Sequence, residues 1–294
     1  MSLDVRRIAV SFAGAAKRYD QAARLQHQVE SELLERVAEL PLAPSLILDL
    51  GAGPGRAAAA LKQRFSKSEV IAIDIALPML REARKRQGWF RPFRCVNADV
   101  RHLPIADGSC DLLFSSLCLQ WIDDLPALFA EFRRVLKPGG WLLFSSFGPD
   151  SLRELRAAWA TVDERPHVNV FLDMHDVGDA LISQGFKDPM LDVERYTLPY
   201  SSALDLMREL KAIGAHNVDQ DRARGLTGRR ALDRVIAAYE AYRISDDAVA
   251  ASYEIIFAQA QAPSGEQPRR QHGQDIAQVS LATMRELIRK PGQK

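Results

Sequence analysis

Apolar and polar positions between residues 41 and 150 alternate in a regular order. Five short apolar runs, most of them followed by a longer amphipathic or alanine-rich stretch, predict five strands at residues 46–50, 69–75, 93–98, 111–116 and 141–147. The stretches between them predict helices at residues 57–65, 77–87 and 125–136. Continuous apolar strands that alternate with helices are typical of a parallel sheet covered on both faces.

The sequence on either side of this region is less regular. Residues 22–40 carry an apolar side chain at every third or fourth position, which predicts an amphipathic helix, whereas residues 1–20 show little periodicity and are predicted to form an arm. Further helices are predicted at residues 151–163, 176–184, 202–213 and 227–242, and strands at residues 192–198 and 250–258. Residues 137–140 predict a turn, and residues 164–171 a polar loop.

These elements predict an α/β, Rossmann-like fold with seven mostly parallel strands and helices on both faces. We expect an N-terminal arm and helix (1–40), a core (41–200), a helical lid inserted before the last strand (201–245), the last core strand (246–262) and a tail (263–294). The tail is rich in Gln, Gly, Pro and Arg, which indicates a flexible linker, with one weak helix at residues 279–289. We expect the lid to be formed by the N-terminal arm together with the inserted helices of residues 201–245.

Composition narrows the functional classes. A chain of 294 residues with 47% hydrophobic content can bury a large core, and a formal net charge of +1 gives no global field for nucleic acid. No apolar run approaches the roughly 20 residues of a membrane-spanning helix. Cys95, Cys110 and Cys118 show neither a CxxC pair nor metal-ligand spacing with histidine. We therefore expect reduced cysteines, no metal, no membrane and a cytoplasmic protein.

A glycine-rich stretch, LILDLGAGPGR at residues 46–56, joins the first strand to the following helix. Such a turn lets bare backbone and a helix N-terminus approach a ligand. Asp74 ends the second strand about 20 residues later, the spacing of a ribose-binding carboxylate, and Asp99 ends the third. Because ligands of these sheets bind beyond the carboxyl ends of the strands, we expect these acids to converge on one site.

Three interpretations of the turn compete: a purely structural turn, a dinucleotide site and a site for S-adenosyl-L-methionine (SAM). A dinucleotide fingerprint that begins at Gly51 needs its third glycine where Arg56 stands, and an arginine there obstructs close packing of helix on strand. Asp49 inside the strand is also unusual for that fingerprint. Binding of SAM accounts for the whole set of residues.

The motifs LDLGAGPG, Asp74 after strand two, Ala98-Asp99 and LKPGG before strand five resemble the class I SAM-dependent methyltransferases over residues 40–150. The resemblance implies that Asp49 and the glycine turn face the methionine end of SAM. The cofactor-binding residues expected from it are Gln26, Asp49, Gly51, Ala52, Gly53, Gly55, Asp74, Ile75, Met79, Asp99, Val100 and Ser115.

Individual roles follow from the same resemblance. Asp74 is expected to accept hydrogen bonds from both ribose hydroxyls, because the two oxygens of a carboxylate suit a vicinal diol. Asp99 and Val100 are expected at the adenine edge, with Ile75 and Met79 against the faces of the base. Ala52 stands where the family often has cysteine.

Four further segments, at residues 12–26, 116–121, 163–171 (DERPHVNVF) and 210–217, together resemble the malonyl-acyl carrier protein O-methyltransferases of biotin synthesis. Ala13-Gly14 departs from the family, which usually has arginine after the glycine. The resemblance implies methyl transfer to the carboxylate of malonyl-acyl carrier protein or malonyl-CoA, giving an ester that enters fatty-acid elongation toward pimeloyl groups and biotin. A complex I assembly factor of the same fold and a quinone or lipid methyltransferase are the alternatives.

A carboxyl group titrates near ~4, so the acceptor is already ionised at pH 7 and no general base is expected. Catalysis then depends on placement and on exclusion of water. Residues expected to position the substrate are Arg165, His167 and Lys211 as anchors, Tyr19 on the arm, and Trp121 as a wall of the site.

Acyl carrier proteins are acidic, so a local basic surface on the lid is expected to dock one. The expected docking residues are Arg208, Arg222, Arg224, Arg229 and Arg230. The sequence leaves open the choice between carrier protein and coenzyme A, the residue that holds the malonyl carboxylate, the oligomeric state and the role of residues 263–294.

Overall fold

A single mixed sheet runs through the centre of the protein. The computed structural model describes residues 4–90, 92–215 and 228–264, and the backbone of residues 269–271 and 274–276. The strands of the central sheet are β1 (Leu46–Leu50), β2 (Glu69–Asp74), β3 (Arg94–Asn97), β4 (Cys110–Ser116), β5 (Leu136–Phe147), β6 (Lys187–Tyr200), β7 (Arg243–Ser245) and β8 (Ala248–Gln261). A separate two-stranded ribbon pairs β9 (Arg269–Gln271) with β10 (Gln274–Ile276).

Helices precede the sheet, connect its strands and cover its faces. They are α1 (Val5–Ala15), α2 (Tyr19–Ala22), α3 (Arg24–Glu39), α4 (Arg56–Arg64), α5 (Leu77–Arg84), α6 (Leu125–Val135), α7 (Arg153–Ala160), α8 (Met174–Ser183), α9 (Ala203–Ala212) and α10 (Arg229–Tyr239).

The strand order β3-β2-β1-β4-β5-β8-β6 confirms the predicted seven-stranded sheet, and the short β7 adds an eighth strand beside β8. Neighbouring strands from β3 to β5 are parallel, while β8 is antiparallel to both β5 and β6. The sheet is therefore mostly parallel, as the apolar pattern predicts. From β1 the chain moves outward through β2 to β3 on one side of the sheet, and it then returns to β4 and moves outward to β5 on the other side. This change of side places a ligand crevice at the carboxyl ends of β1 and β4.

Each strand supplies side chains to two cores, because successive residues point to opposite faces. On β1, Ile47 belongs to one core and Leu48 to the other. The core that contains Ile47 also holds Leu33 of α3, whereas the core that contains Leu48 holds Phe129 of α6. Burial on both faces explains why these strands are continuous apolar runs.

The sequence predicts an arm over residues 1–20, and in its described part, from residue 4, the chain forms α1 and the start of α2. Asp4 caps α1 by accepting hydrogen bonds from the amides of Arg6 and Arg7 at 3.1 and 3.2 Å. Ile8 and Ala15 of α1 are buried. Ile8, Phe12 and Ala15 follow a helical spacing, and Phe12 and Ala15 pack in one cluster with Met79 of α5.

Several strands are longer than their apolar patterns predict. The predicted turn at residues 137–140 lies inside β5, where the amide of Gly139 donates to the carbonyl of Ala262 and the amide of Ala262 donates to that of Gly140. Strand β6 likewise spans Lys187–Tyr200 because it pairs with β8 over nearly its whole length. Pairing with segments distant in the chain therefore sets these boundaries: β4 and Ala262 for the start of β5, and β8 for β6.

The other predicted helices and strands are present, with ends shifted by a few residues. Ser202 caps α9, since its hydroxyl accepts from the amide of Asp205 at 3.2 Å. Gly228 is the N-cap residue of α10, and Thr227, where the predicted helix begins, lies outside the described residues. The predicted helix at residues 279–289 also lies outside them. Among the described helices, none is long and apolar enough to cross a membrane.

Gly55 allows a direct test of packing at the glycine turn. Its φ is +77°, and an added Cβ would lie 2.6 Å from the Cβ of Ala83 on α5. Gly139 has nearly the same φ, +76°, with no atom within 4 Å of an added Cβ. Gly139→Ala should therefore cost only the left-handed backbone penalty, about 1–2 kcal/mol. Gly55→Ala should cost about 1–3 kcal/mol more, because it overpacks the interface.

Urea unfolding of the two variants and the parent protein measures both costs. Equal losses in the free energy of unfolding would contradict the packing role of Gly55.

Candidate functional site

The carboxyl ends of β1, β2 and β4 surround a cleft with ≈ 710 Å³ of empty space. Its lining comes from the glycine turn, the residues after β2 and β3, the segment after β4, and the N-terminal helices. Of the residues expected to bind or position ligands, those that line the cleft are Tyr19, Gly51, Gly53, Asp74, Ile75, Met79, Asp99, Val100 and Trp121. The predicted convergence of separate strand ends on one site is therefore present.

The glycines of the turn have different structural roles. Gly51, Gly53 and Gly55 all have positive φ, which glycine adopts without strain. A Cβ on Gly51 would lie 2.5 Å from Sγ of Cys118, so β1 and the segment after β4 can approach only without a side chain there. Gly53 has open space where a Cβ would stand and leaves its backbone exposed to the cleft. Gly55, in contrast, packs against α5 outside the cleft.

Asp74 holds the turn in place. Its Oδ2 accepts a hydrogen bond from the amide of Gly53 at 2.8 Å, and its Oδ1 accepts one from the amide of Ala76 at 2.7 Å. Burial raises the pKa of Asp74 to about 6, although these two amides oppose the shift. Each carboxylate oxygen keeps a lone pair, so the predicted contacts with two ribose hydroxyls remain chemically possible in addition to the internal bonds.

Asp99 is bound by Arg101, a residue that sequence reasoning missed. Nη2 of Arg101 lies 2.6 Å from Oδ2 of Asp99, and the Arg101 amide and Nε both lie 3.0 Å from Oδ1. Burial opposes ionisation of Asp99, but the hydrogen bonds from Arg101 outweigh it and keep the pKa of the carboxyl below its usual value. Both side chains line the cleft. The sequence feature that could have indicated this contact is the position of Arg101, two residues after Asp99.

Asp49 lies beneath the cleft rather than in its wall. The residue is 2% exposed, and its Oδ2 has no hydrogen-bond partner. Burial, followed by the nearby carboxylates of Glu30 and Asp74, raises the pKa of Asp49 well above its usual range. Burial likewise raises the pKa of Glu30 to about 7, against the attraction of Arg56. This region therefore favours a cation, and a ligand ammonium would satisfy the orphaned oxygen of Asp49.

Arg56 explains why the third position of the glycine fingerprint is not glycine. Its Nη1 donates to Oε1 of Glu30 at 2.8 Å and to the carbonyl of His27 at 3.1 Å, and its Nη2 donates to the hydroxyl of Ser31 at 3.0 Å. Arg56 thus joins α4 to α3 instead of packing on the sheet.

The segment after β4 turns sharply into the cleft. Leu117 has φ +49°, a left-handed conformation that non-glycine residues seldom adopt outside functional sites. Ser116 and Cys118 line the cleft, but Ser115, predicted to do so, is fully buried and donates its hydroxyl to the carbonyl of Leu50 at 2.9 Å. The alternation of side chains along a strand sends Ser115 away from the cleft. Burial and then Asp74 raise the pKa of the Cys118 thiol to about 12, so it stays protonated.

The N-terminal helices cover one side of the cleft. Val5, Ile8 and Phe12 of α1 line it together with Tyr19 of α2. Burial, followed by the carboxylates of Glu30 and Asp74, raises the pKa of Tyr19, so its hydroxyl remains a hydrogen-bond donor. Apart from Tyr19, these residues were not predicted, although the spacing of Val5, Ile8 and Phe12 (i, i+3, i+7) is a signal that could have indicated this helix.

A second cavity of ≈ 570 Å³ adjoins the cleft, and Trp121 lines both. The ring of Trp121 packs edge-to-face on Phe12, with centroids 5.4 Å apart. His167 lines the second cavity, and its ring stacks on that of Trp159 with centroids 3.8 Å apart. The Nε2 atom of His167 lies 2.9 Å from Oδ1 of Asp163. Gln26, expected at the cofactor, also lines this cavity rather than the cleft.

The remaining predicted residues lie outside both cavities. Arg165 and Lys211 are exposed, and neither lines the cleft or the second cavity. Ala52 is buried in the core. The described residues contain no group of His, Cys, Asp and Glu side chains that could hold a metal ion.

Comparison with known proteins agrees with this geometry. Residues 48–144 match the family model described as a methyltransferase domain. A candidate methyltransferase of Bacillus halodurans superposes with a TM-score of 0.57 at 17% identity, covering 80% of this chain and 98% of that one. The YcgJ protein of Bacillus subtilis gives 0.56 at 16% identity, with 81% and 100% covered. The fold and domain define a class I methyltransferase whose methyl donor is SAM.

The sequence comparison is more specific. The malonyl-[acyl-carrier protein] O-methyltransferase of Xylella fastidiosa is 48% identical over 279 residues, which covers 95% of each chain. The protein of that name from Halorhodospira halophila is 45% identical over 281 residues, covering 95% of this chain and 94% of the relative. This chain belongs to the malonyl-[acyl-carrier protein] O-methyltransferase family.

The raised pKa of Asp74 predicts how SAM binding depends on pH. Only ionised Asp74 offers both oxygens as acceptors, so the Kd for SAM should rise by up to about tenfold per pH unit below about 6. The stability of the ligand-free protein has the opposite pH dependence. Because the pKa of Asp74 is raised in the folded state, the carboxyl group stabilises the fold fully below about pH 4, and this contribution is lost as the pH rises through about 6. The increase in Tm caused by SAM should therefore be larger at pH 7 than at pH 5.

Calorimetric titration and thermal unfolding between pH 5 and 7 check both effects. Asp74→Asn should weaken SAM binding and flatten its pH dependence near 6. An unchanged pH dependence in this variant would remove Asp74 from the explanation.

Proposed function

We propose that this protein transfers a methyl group from SAM to the free carboxylate of malonyl-acyl carrier protein, giving the methyl ester. Membership of the family named for this reaction supports the substrate. The observation that carries the proposal in this chain is the pair of adjoining cavities that meet at Trp121. One cavity has the acids and open glycine turn that suit SAM, and the other has room for an acyl thioester.

The chemistry needs no general base. Bound SAM supplies an electrophilic methyl group on a sulfonium. A carboxylate oxygen of the substrate forms the new C–O bond while the C–S bond breaks, and the sulfur keeps the electron pair as S-adenosylhomocysteine leaves. Since the carboxyl group has a pKa near ~4, it is already ionised at pH 7. No proton moves in this step, and the protein contributes by alignment and by removing water from the nucleophile.

The lining of the second cavity suits this role. Leu152, Leu155, Val168 and Tyr253 exclude water from the carboxylate, and Trp121 forms the wall beside the methyl group. A desolvated carboxylate is a stronger nucleophile than a hydrated one. The product ester is neutral and leaves an apolar cavity without an ionic interaction to break.

His167 is the predicted anchor that lies in this cavity, with Gln26 as a second polar neighbour. Lys211 follows Leu210, which lines the cavity, so we propose that Lys211 acts at its mouth. Arg165 lies in the same loop as His167, and its amide donates to Oδ1 of Asp163 at 2.9 Å. Its predicted contact with the carboxylate requires movement of this loop when substrate binds.

The glycine turn and nearby acids are our proposed cofactor site. Gly53 provides open backbone, Asp74 the acceptors for the ribose, and Asp99 with Val100 the adenine edge. Asp49, with its orphaned Oδ2, is assigned to the ammonium of the methionine part. Burial of Asp49 in this structure means that the turn must open slightly for direct contact.

Residues 201–245 are proposed as the lid, together with the N-terminal helices. Helices α9 and α10 lie between β6 and β8, and Leu210 and Ile213 reach the second cavity. We further propose a cytoplasmic reaction within biotin synthesis, because the chain resembles that group of enzymes throughout and its three thiols are free.

The proposed docking surface consists of Arg208, Arg229 and Arg230, while Arg222 and Arg224 lie outside the described residues. Arg229 and Arg230 are exposed in the first turn of α10, where the helix dipole disfavours cations. No described acidic side chain forms an ion pair with either residue. Two arginines placed against the dipole are available for an acidic partner.

An assay with labelled SAM tests the proposed reaction. Incubation with malonyl-acyl carrier protein should give a labelled methyl ester that base releases. Malonamyl-acyl carrier protein, in which a carboxamide replaces the carboxylate, should give none because it lacks the ionised oxygen. Retained SAM binding without any ester from the malonyl substrate would refute the activity.

Charge reversal tests the docking surface. Arg229→Glu combined with Arg230→Glu should raise the KM for malonyl-acyl carrier protein roughly three- to tenfold, because each change removes an attraction and adds a repulsion. The Kd for SAM and the KM for malonyl-CoA should stay within error. Lys67→Glu, an exposed change near the amino end of β2, is the matched control. Equal effects on both malonyl substrates would contradict a carrier-protein surface.

A further inference from the structure

Several polar groups that line the second cavity already have hydrogen-bond partners within the protein. The hydroxyl of Ser151 donates to the carbonyl of Glu254 at 2.8 Å and accepts from its amide at 3.0 Å. The Tyr253 hydroxyl lies 3.4 Å from that of Tyr200, and His167 bonds to Asp163. The hydroxyls of Ser151 and Tyr253 and Nε2 of His167 therefore already have hydrogen-bond partners within the protein.

Two amide oxygens in the cavity are different, because they are buried without a hydrogen-bond partner. They are Oε1 of Gln120 and Oδ1 of Asn169, and both residues line the cavity. Asn169 is 8% exposed as a whole residue. Nε2 of Gln120 donates to the carbonyl of Leu117 at 2.6 Å, which fixes the orientation of this amide and leaves Oε1 unpaired. Buried acceptors of this kind normally have a donor.

The two residues also separate the second cavity from a third, which contains ≈ 740 Å³ of empty space. Gln120, Asn169 and Phe171 line both cavities. Gln120 directly precedes Trp121, the residue shared with the cofactor cleft. The amide pair, Gln120 and Asn169, therefore faces space on both sides, and its Gln120 member is the chain neighbour of Trp121.

The missing donor cannot come from the malonyl group. An ionised malonyl thioester has only acceptors, namely its carboxylate and its carbonyl oxygens. The pantetheine arm that carries it has amide N–H donors a few bonds beyond the sulfur, and both carrier protein and coenzyme A contain that arm. Two side-chain amides match such a group, since each can accept from an N–H and donate to a C=O.

We propose that Gln120 and Asn169 form a subsite for the first amide of the pantetheine arm. This assignment rests on the proposed function and names a contact that fixes the depth of the thioester. With that amide held, the malonyl carboxylate extends toward Trp121 and the cofactor cleft. Both residues position the substrate through its arm and do not touch the reacting atoms.

Two small substrates of equal length test the subsite in the unmodified protein. Malonyl-N-acetylcysteamine carries the first amide of the arm, whereas the malonyl S-pentyl thioester replaces it with methylene groups. The kcat/KM should be at least about tenfold lower for the S-pentyl thioester, because it brings no N–H donor to either unpaired oxygen. Equal kcat/KM values would overturn the proposal without any mutation.

Variants then locate the effect. In Gln120→Leu and Asn169→Leu the ratio of kcat/KM for the two thioesters should fall toward one, while the Kd for SAM stays unchanged and confirms folding. Asn169→Ser provides a smaller change should the leucine variant fail to fold. Gln28→Leu, which removes an exposed amide from α3, should keep the parent ratio. A ratio unchanged in the cavity variants would overturn the assignment.

The full carriers distinguish the two sources of the arm. Malonyl-acyl carrier protein and malonyl-CoA should lose kcat/KM by similar factors in the cavity variants, because they share the amide. A loss confined to the carrier protein would overturn the subsite and assign the residues to protein docking. Failure of the proposed function has a separate signature, since no malonyl thioester would then yield an ester with the unmodified protein.

Discussion

The hydrogen bonds of Asp74 are the interaction on which the site depends. One carboxylate oxygen holds the amide of Gly53 and the other holds the amide of Ala76, so a single side chain fixes both the glycine turn and the approach to α5. A buried carboxylate is costly unless it is hydrogen-bonded, and these amides supply part of the compensation. The remaining lone pairs of the Asp74 carboxylate are free for a ligand in the cleft, where the cationic methyl donor SAM is proposed to bind. Asp74 therefore has a structural role in the turn besides its proposed contact with the ribose, and its raised pKa shows that the two amides offset only part of the cost of burial.

The two cavities differ in their lining, and this difference suits the proposed methyl transfer. The cleft at the strand ends has charged and polar groups, whereas the adjoining cavity is mainly apolar with a few amides and one histidine. Trp121 lies between them and is supported by Phe12 from α1. A methyl transfer between these spaces uses the polar side to hold the donor and the apolar side to dehydrate the acceptor. No basic residue has to act as a proton acceptor, because the carboxyl group of the acceptor is already ionised at pH 7.

Much of the fold was predictable because the central strands are buried on both faces and the helices between them are amphipathic. The acids at the strand ends were also predictable, since parallel strands bring their carboxyl ends together. Predictions failed where distant contacts determine structure. Strand β5 starts at Leu136 because that residue pairs with Cys110 of β4, and Gly139 and Gly140 of the predicted turn bond to Ala262. Ser115 was assigned to the cleft one position too early, because a strand turns alternate side chains to opposite faces.

The sequence by itself determined the class of protein, the position of the glycine turn and the carboxylates near it, because these depend on local order along the chain. It also indicated the family through segments outside the core. The tertiary structure decided which polar groups share a cavity. Arg165 and Lys211 have the right chemistry for a carboxylate but lie outside the cavities, whereas Gln120 and Asn169 have unpaired oxygens within one. Burial and hydrogen-bond satisfaction arise from the packing of distant segments, so only the folded chain can specify them.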